Sequence, residues 1–236
     1  MNYALLLSGG VGERAKTNMP KQYIKAGGHM MISYALNPLL NNKYIDKVYI
    51  VADAAWQEEI GSDIEKSGID GKKIAGFAEP GINRQLSILN GLKAIINDSD
   101  KKKYESTDTV LVHDAARPFL SEKLIDRCYE VLPGNDGVMP ILPMKDTVYL
   151  SEDGKRITKL LERPKIFAGQ APELFNLDKY YQANIELLPD KILKINGASE
   201  VAILAGMNIA MIDGDESNVK VTTQKDVEHY RMVFEK

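Results

Sequence analysis

The chain has 236 residues, 44% hydrophobic and 27% charged, with 30 Lys and Arg against 33 Asp and Glu for a net charge of -3. This balance excludes a disordered or collagen-like chain, and near-neutrality gives no general pull toward nucleic acid or an anionic membrane. One cysteine, Cys128, excludes an internal disulfide and a thiolate cluster, and three histidines (His29, His113, His229) supply a conventional zinc site poorly.

In chain order, Tyr3–Leu7 is a short apolar run ending at Ser8-Gly9-Gly10, and Met30–Leu40 has helical spacing. Lys47–Ala52 is β-branched and aromatic, and Asn83–Ile96 carries Leu86, Leu89, Leu92, Ile95 and Ile96 at helical spacing. Thr109–His113 is a further strand candidate, and Ser121 reads as an N-cap before Leu124, Ile125, Cys128 and Val131. Gly137–Leu142 completes the series. Near-continuous apolar runs suit strands covered on both faces, and strand–helix alternation predicts βαβ units in a doubly wound, mostly parallel α/β domain. After Leu142 the pattern becomes a hairpin: Asp146–Leu150, a turn at Ser151–Gly154, then Lys155–Leu161. The run Asp98–Asp108 reads as a solvated loop. No apolar run nears the roughly 20 residues that cross a membrane. Ala4–Leu7 is too short for a signal-peptide core, so a soluble, cytoplasmic protein is expected.

The stretch from Leu7 through Ser8-Gly9-Gly10-Val11-Gly12-Glu13-Arg14 to Pro20-Lys21-Gln22-Tyr23 carries the most information. A glycine turn directly after a strand brings backbone N–H groups against phosphate, and Arg14 and Lys21 add two cations that suit a triphosphate. The plainer alternative is a tight turn with two exposed cations. Gly10–Ala15 also fits G-x-G-x-x-A, a dinucleotide fingerprint. That reading requires an uninterrupted helix and an acid about 20 residues on. Pro20 breaks the helix, and Met30–Tyr34 carries no acid.

These residues resemble the signature loop of the cytidylyltransferases that make CDP-alcohols from 2-C-methyl-D-erythritol 4-phosphate or ribitol-5-phosphate. More of the chain agrees in order: Gly81–Leu92, Val112-His113-Asp114-Ala115-Ala116-Arg117-Pro118, Lys145-Asp146-Thr147, Arg163, Gly169–Phe175 and Asn218–Thr223 with Asp226-Val227. The resemblance implies a single Rossmann-like nucleotidyltransferase domain over 1–236, with a β-hairpin dimerisation arm at 145–163. It implies CMP transfer from CTP to a short polyol phosphate, with Arg14, Lys21 and Lys220 as catalytic residues. CTP would contact Leu7, Ser8, Gly9, Gly10, Gly12, Gly81, Arg84, Ser87, Asp114 and Ala115. Thr147, Arg163 and Arg117 would bind the acceptor phosphate. A Mg²⁺ ion would sit mainly on phosphate oxygens, with Asp114 as a protein ligand. The family is a homodimer whose arm crosses to the partner.

Plainer roles remain for several of these: His113 as a buried structural residue, Arg117 in an ion pair, Asp114 as a helix cap and Arg84 as a partner of the base-reading loop. Trp56 and Cys128 read as packing residues, and Lys145 and Asp146 as hairpin surface. The chain departs from the family pattern at Ala171, at Glu173 and in the loop Ile195–Ser199. The nucleotide half therefore matches, whereas the acceptor half differs, and a changed acceptor is expected. Two competing readings are a related nucleotidyltransferase acting on another nucleotide and a sugar phosphate, and a non-catalytic binding protein on this fold.

Overall fold

The computed structural model describes residues 1–10, 19–97, 105 and 107–235. In chain order the elements are β1 (Asn2–Leu7), β2 (Lys25–Ala26), β3 (His29–Met30), α1 (Met31–Asn41), β4 (Lys47–Val51), α2 (Ala54–Ser67), β5 (Ile74–Ala78), α3 (Arg84–Ile96) and β6 (Thr109–Asp114). There follow α4 (Glu122–Val131), β7 (Gly137–Pro143), β8 (Tyr149–Leu150), β9 (Lys159–Leu160), β10 (Phe167–Gly169) and β11 (Glu173–Asn176). The chain closes with α5 (Leu177–Ile185), α6 (Ala198–Leu204), β12 (Ile209–Asp213) and α7 (Gln224–Phe234).

The central sheet has eight strands, with β6, β1, β4 and β5 side by side and parallel. β11 runs antiparallel between β6 and β7, while β7 carries β12 along its other edge and β10 near its end. The α/β expectation therefore holds, with an antiparallel insertion that strand patterning alone did not indicate.

Alternation along each strand divides the core into two layers. Ala4 and Leu6, Val48 and Ile50, and Leu111 face one cluster, which α1, α2 and α4 cover. Tyr3 and Leu5, Tyr49 and Val51, and Val110 and Val112 face the other, under α3, α5 and α6. These strands are buried on both faces, which is why their sequences read as unbroken apolar runs. A third cluster joins α7 to Ile24 and Met31.

Helix starts are set by local chemistry. Asn83 Oδ1 accepts from Leu86 N at 2.8 Å to cap α3, and Ser121 Oγ accepts from Leu124 N at 3.3 Å to cap α4. Thr223 and Asp226 form a reciprocal capping box at α7. The start of α1 is served from a distance, because buried Asp63 accepts from Met30 N at 2.8 Å and Ser33 Oγ at 2.6 Å. The hairpin forms where expected, pairing Tyr149 with Leu160 and Leu150 with Lys159. Among the described residues no helix is long and apolar enough to cross a membrane.

β4 and β5 extend the sheet on one side of β1, and β6 lies on the other. The order reverses there, and the carboxyl ends of β1 and β6 open a crevice of the kind that holds ligands in doubly wound sheets.

Candidate active site

The crevice contains a cavity of about 900 Å³, walled on one side by Leu7, Gly9, Gly10 and Lys21 and on the other by Pro80–Asn83 and Ser87. Gln22 shapes the first wall. It is buried, and its Nε2 donates to Ser8 O at 2.6 Å and to Gly10 O at 2.8 Å, fixing both carbonyls of the turn. Tyr23 adds a hydroxyl that donates to Ser8 O at 3.0 Å, and its ring stacks on Trp56 with centroids 4.2 Å apart. A side chain at Gly9 would collide with Pro80, so the two walls approach this closely only with glycine there.

On the second wall, Ser87 Oγ accepts from Gly81 N at 3.0 Å and donates to Asn83 O at 2.9 Å. A Cβ at Gly81 would strike Leu86 and lie 2.9 Å from Ser87 N. Gly81–Ser87 is thus a closed loop seated on the start of α3, beside the cavity, with Ile82 exposed at its rim.

Asp114, the last residue of β6, forms the charged centre. Arg84 Nη2 and Nε reach Oδ1 at 3.2 and 3.3 Å, Lys220 Nζ reaches Oδ2 at 2.8 Å, and Arg117 Nε lies 3.8 Å away. Burial alone would raise the Asp114 carboxyl, but Arg84 and Lys220 outweigh it and hold the group ionised far below the usual carboxylate range. The ion-pair reading of Arg117 is thereby realised, whereas Arg84 pairs with Asp114 and Glu173 rather than with the base-reading loop, and both side chains face a cavity. Asp114 acts as an ion-pair centre rather than a helix cap. His113, its neighbour on the strand, is fully buried and contacts Arg117 O at 3.2 Å, and desolvation lowers its pKa to about 4.

The loop that carries Lys220 is pinned at several points. Val221 N donates to Ala116 O at 2.8 Å, and Arg117 Nη1 donates to Asn218 O at 2.7 Å. Buried Gln170 donates to Asp215 O at 2.8 Å, and Asn218 Nδ2 donates to Ala171 O at 2.7 Å. Segments far apart in sequence thereby hold the Lys220 ammonium over Asp114.

A second cavity, about 210 Å³, shares Arg84, Asp114 and Lys220 with the first and continues toward Arg117, Glu173, Asn196, Gly197 and Ser199. Glu173 is buried at the start of β11. Its Oε2 accepts from Ser199 N at 2.9 Å, its Oε1 lies 3.5 Å from Arg84 Nη2, and burial raises its pKa. Glu173 and the Ile195–Ser199 loop, both departures from the family pattern, therefore meet in one wall. Nothing in the linear pattern joins Glu173 to Ser199, because the contact spans 26 residues.

Leu7, Gly9, Gly10, Lys21, Gly81, Arg84, Ser87, Asp114 and Lys220 thus converge on the first cavity. Gly12 and Arg14 lie outside the described residues, as does most of the Asp98–Asp108 loop. Ser8 is buried with its hydroxyl on Tyr23, and Ala115 is buried with its N–H on Leu7 O, so Ala116 rather than Ala115 lines the cavity. Thr147 and Arg163 line neither cavity within one chain. Arg163 Nη1 donates to Lys145 O at 3.0 Å at the base of the hairpin. The role of Gln22 escaped sequence reasoning, although it directly follows Lys21.

A glycine turn and a lysine at the switch point of a doubly wound sheet, with a second cavity across one ionic centre, define an α/β protein with a two-part ligand crevice. The family model described as IspD: 2-C-methyl-D-erythritol 4-phosphate cytidylyltransferase matches residues 3–236, and the chain belongs to that family. A 2-C-methyl-D-erythritol 4-phosphate cytidylyltransferase of Thermotoga neapolitana is 33% identical over 99% of this chain and 96% of its own length. A bifunctional IspD/IspF enzyme of Maricaulis maris is 31% identical over 95% of this chain, which spans 55% of that relative; the chain is thus about half the length of such bifunctional relatives. The crystal structure of the 4-diphosphocytidyl-2C-methyl-D-erythritol synthase of Anaerococcus prevotii superposes with a TM-score of 0.82 at 26% identity, covering 100% of this chain and 96% of that one.

Proposed function

We propose that the protein transfers CMP from CTP to a short polyol phosphate, releasing pyrophosphate and giving a CDP-alcohol. The observation that carries this reading is the pair of cavities joined at Arg84, Asp114 and Lys220. A nucleoside triphosphate in the larger cavity and a phosphate ester in the smaller one would meet at the Lys220 ammonium. An acceptor phosphate oxygen attacks the α-phosphorus, a P–O bond forms, and the bond to the pyrophosphate leaving group breaks.

Such a transfer needs positioning and charge neutralisation rather than covalent catalysis. Lys21 and Lys220 both line the larger cavity and supply positive charge there, and the family resemblance adds Arg14. Asp114 holds Arg84 and Lys220 in place instead of acting as a base, since its carboxyl is ionised and already saturated by cations. The Gly81–Ser87 loop presents backbone groups to the base.

Among the described residues no cluster of three or more His, Cys, Asp or Glu is arranged to hold a metal. A divalent ion carried in on the triphosphate would need only one or two protein carboxylates, and Asp114 lines both cavities. Mg²⁺ bound in that way would neutralise phosphate charge and orient the leaving group.

The exposed apolar residues Tyr149, Leu150, Ile157 and Leu160 on the hairpin support a homodimer in which the arm covers its partner and brings Thr147 and Arg163 to the partner's acceptor cavity. The test is pyrophosphate release with CTP and Mg²⁺ across 2-C-methyl-D-erythritol 4-phosphate, ribitol-5-phosphate and the glycerol, erythritol and mannitol phosphates. Turnover of at least one acceptor is expected. Absence of both turnover and CTP binding would overturn the proposal.

A further inference from the structure

Asn83 lines the larger cavity and not the smaller one, and its side chain makes two hydrogen bonds that serve different parts of the fold. Its Oδ1 accepts from Leu86 N at 2.8 Å, which caps α3, and its Nδ2 donates to Ile192 O at 3.1 Å. The partners fix the amide orientation, since a backbone N–H donates and a carbonyl accepts. The second bond spans 109 residues and reaches the single 3-10 turn Lys191–Lys194, which runs directly into the loop 195–199. Asn196, Gly197 and Ser199 of that loop line the smaller cavity. Of the four residues in the turn only Ile192 is buried, so the turn has little packing of its own to hold it.

A second tie runs beside the first. Gln85 is buried, its Nε2 donates to the Tyr180 hydroxyl at 3.3 Å, and that hydroxyl donates to Ala198 O at 3.0 Å. The start of α3, which seats the Gly81–Ser87 loop, therefore holds the acceptor-side segment at residues 192 and 198. Removing the donor from a partly buried carbonyl leaves it unpaired unless the segment shifts to reach water.

We propose that Asn83 is a positioning residue that acts from the nucleotide wall on the acceptor cavity, by fixing the segment 191–199 through Ile192 O. The inference rests on the proposed transfer between the two cavities and adds to it a residue outside the acceptor cavity that sets acceptor binding.

The test separates the tie from the cap. Asn83→Ser keeps an N-cap but has no amide arm for Ile192 O, whereas Asn83→Ala loses both. Pyrophosphate release is measured with CTP, Mg²⁺ and 2-C-methyl-D-erythritol 4-phosphate or ribitol-5-phosphate. In Asn83→Ser the KM for the acceptor should rise about 5–30-fold, the scale of one lost hydrogen bond, and the KM for CTP less than about threefold. Amide hydrogen exchange should quicken in 191–199 and stay unchanged in β1, β4 and β6. Asn83→Ala should also melt at a lower temperature than Asn83→Ser. Asn83→Asp, which caps as well and cannot donate, makes the same test should Asn83→Ser fail to fold.

Unchanged exchange in 191–199, or an acceptor KM that rises no more than the KM for CTP, would overturn the proposal and leave Asn83 a helix cap. Absence of both wild-type turnover across the acceptor panel and CTP binding would overturn the transferase reading instead, and the exchange measurement would still decide whether Asn83 holds the segment.

Discussion

His113 and Asp114 are neighbours on one strand, and burial has opposite results for them because only Asp114 has cations around its charge. The His113 imidazole is held neutral with a pKa near 4 against an ordinary 6.5. Between those values the unfolded chain binds a proton that the folded chain refuses, so stability is lost as pH falls through this window. From this group alone the loss between pH 7 and pH 5 is about 2 kcal/mol. Urea unfolding at the two pH values should show His113→Gln losing less stability than wild type over that interval; an equal loss would mean that other groups set the pH dependence.

Lys220 and Lys21 do different work from Asp114. Lys220→Ala should lower kcat by about 10²–10³-fold, the scale for removing one preorganised group that meets developing charge. Its melting temperature should change little, since the ammonium is partly exposed. Lys21→Ala should behave similarly. Asp114→Asn should also unfold more readily, because it leaves Arg84, Arg117 and Lys220 without their shared counter-charge. A loss of about 1–3 kcal/mol is expected after allowing for solvent screening.

At the level of elements, the site depends on short stretches held in unusual shapes. The turn after β1 keeps its form because Gln22 fills two carbonyls from inside the fold. Gln22→Ala should leave both carbonyls unpaired, cost about 1–3 kcal/mol of stability and raise the KM for CTP more than the KM for the acceptor. Thermal denaturation and steady-state kinetics check both parts. The motif made this turn legible, since a strand running into consecutive glycines has few other shapes. The clamp was not legible, because a glutamine after a lysine has no distinctive local signature. The start of α3 and the hairpin were readable from Asn83 and from Asp153-Gly154 for the same local reason. Helix α2 and strand β5 were not singled out, because their buried apolar residues are few: only Ile60 and Ile64 in α2 and Ala78 in β5.

At the scale of the whole molecule, the hairpin projects apolar side chains away from its own domain, and the proposed dimer assigns them a place. Light scattering should give twice the chain mass. If Arg163 serves the partner's cavity, mixing the inactive variants Arg163→Ala and Lys220→Ala should restore activity. The recovery should approach about a quarter of wild type, because half of randomly mixed dimers are hybrids and each hybrid has one intact site. No recovery in hybrids confirmed by mass would show that the arm acts within its own chain.

By itself the sequence determined the layered α/β class, the order of the parallel strands' apolar runs, the glycine turn with Lys21 and the family, since each is written in residues that lie close together. Only the tertiary structure decided that Asp114 gathers Arg84, Arg117 and Lys220, and that Glu173 meets Ser199 beside them. It also decided that β11 enters antiparallel between β6 and β7. These contacts join segments up to 106 residues apart. Which distant charge lands beside which is set by how the strands order themselves and how the loops at their carboxyl ends close, and no local pattern records that.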